Sequence, residues 1–164
     1  MASITAVASA SSYSSANVSN LENAYANTTN TTYGYWNAVF PAYSWLKYSG
    51  FDFTSLPSNA TVSSVVYKVK LGSNSSTGSY GVTAYISDSA KTSTLSYLAS
   101  AGAGVYTLTV TGEATAAQLK SSSANNYFYF TSDNSDYSLR VYGMEITVNY
   151  TVSDGNALFF GMNF

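Results

Sequence analysis

From residue 32 onward the chain alternates between apolar and polar positions. In 61–71, Val65, Tyr67, Val69 and Leu71 alternate with Ser64, Lys68 and Lys70. In 139–152, Tyr142, Met144, Ile146, Val148 and Tyr150 alternate with Val141, Gly143, Glu145, Thr147 and Asn149. Tyr106, Leu108 and Val110 do the same against Thr107, Thr109 and Thr111, and Val82, Ala84 and Ile86 repeat the pattern. Successive side chains of a strand point to opposite faces, so each run predicts a strand with one face in a core. Phe128 and Phe130 alternate with Tyr127 and Tyr129, which predicts a strand covered on both sides. Turn-forming residues separate the runs at 72–78, 88–92, 100–104, 121–126 and 132–136. Short strands at this spacing predict an all-β antiparallel sandwich with one short helix in a connection.

That helix is expected at 113–120, capped by Thr111 or Gly112, with Ala116, Ala117 and Leu119 packing down. A second short helix is weakly signalled at 21–30, with Asn20 as its cap and Asn23 in its first turn. Residues 1–20 offer only Ile4, Val7, Tyr13 and Val18 for burial. The expected organisation is therefore a polar N-terminal arm at 1–31, a β-sandwich at 32–152 and an apolar strand or attachment tail at 153–164. In that tail Leu158, Phe159, Phe160, Met162 and Phe164 would be a liability if left free. They are expected to dock on their own domain, a neighbouring copy or another protein, for instance by adding a strand to a sheet edge.

Composition narrows the chemistry. The 164 residues carry 9% charge and a net charge of −2, against about 25% charged residues in typical soluble domains. Ser, Thr and Asn fill 61 positions and Tyr fills 16. There is no Cys and no His, so disulfides, thiolate or imidazole metal ligands and Ser-His or Cys-His nucleophiles are excluded. The six cations Lys47, Lys68, Lys70, Lys91, Lys120 and Arg140 are scattered, whereas nucleic-acid binding needs a cluster. No apolar run approaches the ~20 residues that span a bilayer, and residues 1–20 lack a signal-peptide pattern. The sequence thus reads as made in a cytoplasm, with neither nucleic acid nor membrane as partner and no cofactor. Asn17, Asn27, Asn30, Asn59, Asn74 and Asn149 open N-x-[ST] triplets, which this composition produces by chance.

Candidate sites follow from what remains. Most of the eight carboxylates sit in expected turns, and none clusters around a plausible base, so no enzyme is expected. Asp133, Asn134, Ser135 and Asp136 could offer oxygens to calcium but lack the spacing of a calcium loop, and read as a turn. Tyr33, Tyr35, Trp36, Tyr43, Trp45 and Tyr48 concentrate in one segment. They are core aromatics of the first strands, a patch for a protein partner, or a platform for a glycan.

Residues 49–70, SGFDFTSLPSNATVSSVVYKVK, together with Leu119 in its helix, the 127–130 strand and the closing strand at 139–150, carry a resemblance. They resemble the β-sandwich (jelly-roll-like) domains of tailed-bacteriophage virion proteins. These include decoration and head-fibre proteins and tail or receptor-binding proteins. The resemblance covers roughly 45–152 and consists of core, turn and strand positions. It implies a virion structural protein, made without a signal peptide and bound in many copies to a capsid as a decoration protein. Its partners would be a major capsid or tail protein and further copies of itself as a homo-oligomer. The alternative it implies is a tail or fibre module that recognises a receptor carbohydrate.

Overall fold

The computed structural model describes residues 1–14, 17–36, 45–73, 82–87, 94–98, 104–112, 114–121, 127–132 and 139–153. Three short strands open the chain: β1 (Ala2–Val7), β2 (Ala10–Tyr13) and β3 (Val18–Ser19), followed by a single 3-10 turn at Leu21–Ala24. Eight further strands are β4 (Gly34–Trp36), β5 (Trp45–Ser49), β6 (Ala60–Ser73), β7 (Val82–Ser87), β8 (Thr94–Leu98), β9 (Gly104–Gly112), β10 (Tyr127–Ser132) and β11 (Leu139–Val152). One helix, α1 (Ala116–Lys120), lies between β9 and β10.

The pairing of β4 to β11 is nested. β4 pairs with β11, β5 with β10, β6 with β9 and β7 with β8, all antiparallel. This is a long hairpin ribbon rolled on itself. Its strands fall alternately into two sheets, ordered β4-β11-β6-β9 and β5-β10-β7-β8. That double-sheet arrangement is a jelly roll, so the expected all-β antiparallel sandwich is the observed fold.

The core lies between the sheets. Val65, Tyr67, Val69 and Leu71 of β6 face Met144, Ile146 and Val148 of β11 along the central pair, and all are buried. Leu46 and Tyr48 of β5 and Phe128 and Phe130 of β10 close it from the other sheet. Phe51, Phe53 and Leu56 add the turn before β6, which closes with Ala60 N–H donating to Pro57 O at 3.1 Å. Burying a side chain of this kind contributes roughly 1.5–3 kcal/mol, so these inward rows are the main source of stability.

Four expectations change. Residues 1–31 are not an arm: β1 runs along β11 from Ala2↔Tyr150 to Val7↔Glu145, and β2 pairs with β5 in the opposite sheet. The inward residues there are Ile4, Ala6 and Ala8, while Val7 and Tyr13 are exposed. Small alanines allow the edge to sit close to the core, which a count of large apolar residues cannot register. Second, 21–30 forms only the 3-10 turn, and Asn20 adopts a left-handed backbone, φ 51°, without a side-chain cap. Third, α1 starts later than expected because β9 runs on to Gly112. Its cap is Thr115, in a reciprocal capping box with Gln118. Fourth, β11 carries a bulge at Tyr142, between the pairs Val141↔Leu71 and Gly143↔Lys70. The extra residue shifts the phase, so Leu139 and Val141 point inward before it and Met144 after it. Tyr142 therefore leaves the inward row and Val141 joins it.

Candidate functional site

The segment after the 3-10 turn crosses the sandwich edge. On one side β11 pairs with β6 throughout; on the other it pairs with β4 at 139–141 and with β1 at 145–150. The stretch 142–144 between them is met by the chain itself. Met144 N–H donates to Ala26 O at 2.9 Å, and Gly143 lies directly under the 26–27 backbone. Leu21 and Ala24 are buried in the core before this crossing. After it, residues 27–33 lie over the outward groups of β11 and β6.

Asn30 is the anchor of this strap. Its side-chain Nδ2 donates to Asn23 O at 2.6 Å, Tyr142 O at 2.8 Å and Thr32 O at 3.1 Å. Its Oδ1 accepts from Thr31 N at 2.9 Å, and Lys70 Nζ donates to its backbone oxygen at 2.8 Å. Glu145 accepts from Lys68 Nζ at 3.2 Å and from Thr28 N at 3.4 Å. Read from sequence, Asn30 is one more N-x-[ST] triplet; nothing local marks it as the residue that holds the strap.

The aromatic segment is divided by strand parity. Trp36 and Tyr48 are fully buried in the core. Burial also pushes the Tyr48 phenol well above the usual tyrosine range, and its hydroxyl has no hydrogen-bond partner among the described residues. Tyr33 and Tyr35 lie half-buried on the outside of the β4–β11 sheet, where Tyr33 packs edge-on against Tyr142 at 5.2 Å. The Arg140 guanidinium sits 5.0 Å from the Tyr33 ring, and Lys70 Nζ sits 5.1 Å from the Tyr142 ring. Trp45 lies on the opposite outside, on β5, so it never meets Tyr33 or Tyr35. Tyr43 lies outside the described residues, as do Leu158, Phe159, Phe160, Met162 and Phe164 and the turn at 133–136.

Trp45 has other neighbours. Its ring centroid is 5.7 Å from that of Tyr129, and Lys47 Nζ lies 5.6 Å from the Trp45 ring and 5.1 Å from the Tyr127 ring. Trp45 and Lys47 share one parity of β5 while Leu46 and Tyr48 share the other. The lysine is thus the sequence signal that this face points outward. Tyr129 is mostly buried on that same outward face, and desolvation raises its pKa.

No family model matches this sequence, and no curated protein is found to be similar to it. Among the described residues no group of three acidic side chains is placed to hold a metal ion, and no helix is long and apolar enough to cross a membrane.

Proposed function

We propose that this chain is a non-enzymatic structural protein of a virus particle, bound in many copies to the particle surface as a decoration or auxiliary protein. The observation that carries the reading is the rolled ribbon itself, with sheets β4-β11-β6-β9 and β5-β10-β7-β8. Double-sheet jelly rolls recur in viral capsid and lectin domains and in cupins, and the reading extends from the capsid domains by analogy of fold. The low charge and the Ser-, Thr- and Asn-rich composition support it, because packing against neighbouring protein then costs little desolvation of charge. The edge strand β9 supports it too. Its exposed Thr107, Thr109 and Thr111 line a strand paired only with β6 among the described residues, and such an edge can accept a strand from another chain. The apolar sequence Leu158, Phe159 and Phe160 is of the kind that would supply one.

Quantitative mass spectrometry of purified particles, with antibody labelling in electron micrographs, tests the reading. Copies numbering in the hundreds and spread over the head are expected. A handful of copies at one vertex would replace decoration by a tail or fibre role, and absence from particles would overturn the proposal. Deleting 156–164 is expected to leave a folded domain that no longer incorporates.

A further inference from the structure

Of the clefts on the described surface, two differ in how their polar atoms are used. The larger, about 550 Å³, lies between β6 and α1. Its Ser63 and Ser64 are bonded to Asn149, and its Thr115 and Gln118 are bonded to each other in the helix cap. The other, about 390 Å³, lies between the turn after β5 and the end of α1. It is lined by Phe51, Asp52, Thr54, Lys120, Ser121 and Tyr127, among others. Ligand sites occupy about 300–1,000 Å³ and combine apolar surface with a few polar groups; this cleft has that size, with Asp52, Thr54, Lys120 and Ser121 among its lining and Tyr127 as its half-buried ring.

Its polar groups point to a ligand class. Asp52 is exposed and accepts from Thr54 N at 2.8 Å, and this bonding holds its carboxyl below the usual carboxylate range. Lys120 lines the same cleft, yet Lys68–Glu145 is the ion pair among the described residues. The cleft therefore presents an anionic acceptor and a cationic donor that are not bridged to each other and carry no net charge. Tyr127 supplies a half-buried aromatic ring at its margin, with Lys47 and Trp45 continuing the surface beyond. An acidic, a basic and an aromatic residue lining one small cleft match a neutral polyol with an apolar C–H face. Such a ligand would stack on the ring and donate its hydroxyls to the carboxylate.

We propose that this cleft is a binding site for a neutral saccharide. The ring of Tyr127 packs on the apolar face of a pyranose, Asp52 accepts from its hydroxyls and Lys120 donates to its oxygens. The site stands independently of whether the chain belongs to a particle.

The test uses the full chain with a panel of methyl hexosides (gluco, galacto and manno) and N-acetylglucosamine, with N-acetylneuraminic acid and glucuronate as charged contrasts. Saturation-transfer NMR reads binding, and amide shift mapping reads its place. At least one neutral sugar is expected to bind and to shift amides within 50–54 and 119–121. Asp52→Asn keeps an oxygen for the Thr54 amide, so the turn is preserved, and is expected to weaken binding roughly tenfold or more. Tyr127→Ala is expected to abolish binding, with far-UV circular dichroism and thermal unfolding confirming that each variant folds; Lys120→Met, on the exposed end of α1, serves if Tyr127→Ala does not. Binding of no neutral sugar, binding of only the charged ones, shifts confined to another region, or unchanged affinity in Asp52→Asn would each overturn the proposal.

Discussion

On the outside of the β4–β11–β6–β9 sheet, Tyr33, Tyr142, Lys70 and Arg140 pack with the chain's own 27–33 segment. On the outside of the other sheet, Trp45, Lys47, Tyr127 and Tyr129 pack on one another. The residue types are alike: aromatic rings with a cation 5.0–5.6 Å from their centroids. The strap adds further partners to the first cluster. On the first face Lys70 also reaches the backbone oxygen of Asn30 in the strap, and Lys68 reaches the carboxylate of Glu145 on β11, which accepts from Thr28 N of the strap as well. On the second face the rings run toward a cleft whose acid and base are not joined. An aromatic–cation cluster is therefore no mark of a binding site by itself; it becomes one only where neighbouring polar groups are left to converge on a ligand.

The sharpest way to break this contrast is at Gly143. A Cβ there would strike the Asn27 carbonyl oxygen and come within 2.7 Å of Ala26 O and 2.8 Å of the Asn27 carbonyl carbon. These are backbone atoms and cannot swing aside, so the strap must lift. Gly143→Ala is expected to cost about 3 kcal/mol or more, from overpacking together with the loss of the bonds that Ala26 and Asn30 make. Chemical denaturation checks it. Amide exchange should show the strap and β11 opening first while β5 and β10 stay protected.

The interior between the two faces gives the next effect. Tyr67 is buried, its hydroxyl lacks a partner among the described residues, and desolvation pushes its pKa up to about 12. An unfolded tyrosine ionises near 10. Because the folded value is the higher one, the neutral form stabilises the native state fully below pH 10, and that contribution is lost as the pH rises toward 12. A rise of this size corresponds to roughly 3 kcal/mol across that window. Alkaline unfolding followed by circular dichroism should fall in it for both sheets together, unlike the one-sided opening at Gly143. Tyr67→Phe should move the transition to higher pH and add about 1 kcal/mol at neutral pH, since it removes an unpaired buried hydroxyl.

Much of this was legible in the sequence, and the exceptions have physical reasons. Period-2 alternation reports facing directly, which is why the inward row of β6 could be read in advance. A bulge adds one residue and reverses the phase beyond it, and neither Tyr142 nor Gly143 looks unusual as a strand residue. The division of the aromatic segment was available from parity at β5, where Lys47 marks the side of Trp45. Taken as one patch, 33–48 conceals that division, because the segment spans strands of two sheets. The strap was hidden most deeply, because its anchor is a side-chain amide whose partners lie 7 and 112 residues away in the chain. Nothing local marks Asp52 among the eight carboxylates; its place in one cleft with Lys120 and Tyr127 exists only once α1 and β10 are folded against the turn after β5.

Asn30→Ala would isolate the anchor without a clash. It removes an amide donor shared among three carbonyls, and leaves the Tyr142 oxygen at the bulge short of a partner. A loss of about 2 kcal/mol is expected by thermal unfolding, with Asn30→Asp recovering part of it because an Oδ atom still accepts from Thr31 N.

The smallest effect compares the ion pair beneath the strap, between β6 and β11, with the amide that fastens it. Lys68 is 41% exposed and Glu145 12% exposed across their 3.2 Å contact. A pair so open to water contributes about 0–1 kcal/mol and weakens with salt. Lys68→Met should therefore lower stability by less than about 1 kcal/mol, a difference that vanishes at high ionic strength, while the Asn30→Ala loss persists there. If Lys68→Met instead matched Asn30→Ala in size, the ion pair of β6 and β11 beneath the strap would hold that face as firmly as the anchor does. Its likeness to the outward face of β5 and β10, where Lys47 meets rings rather than a carboxylate, would then be slighter still.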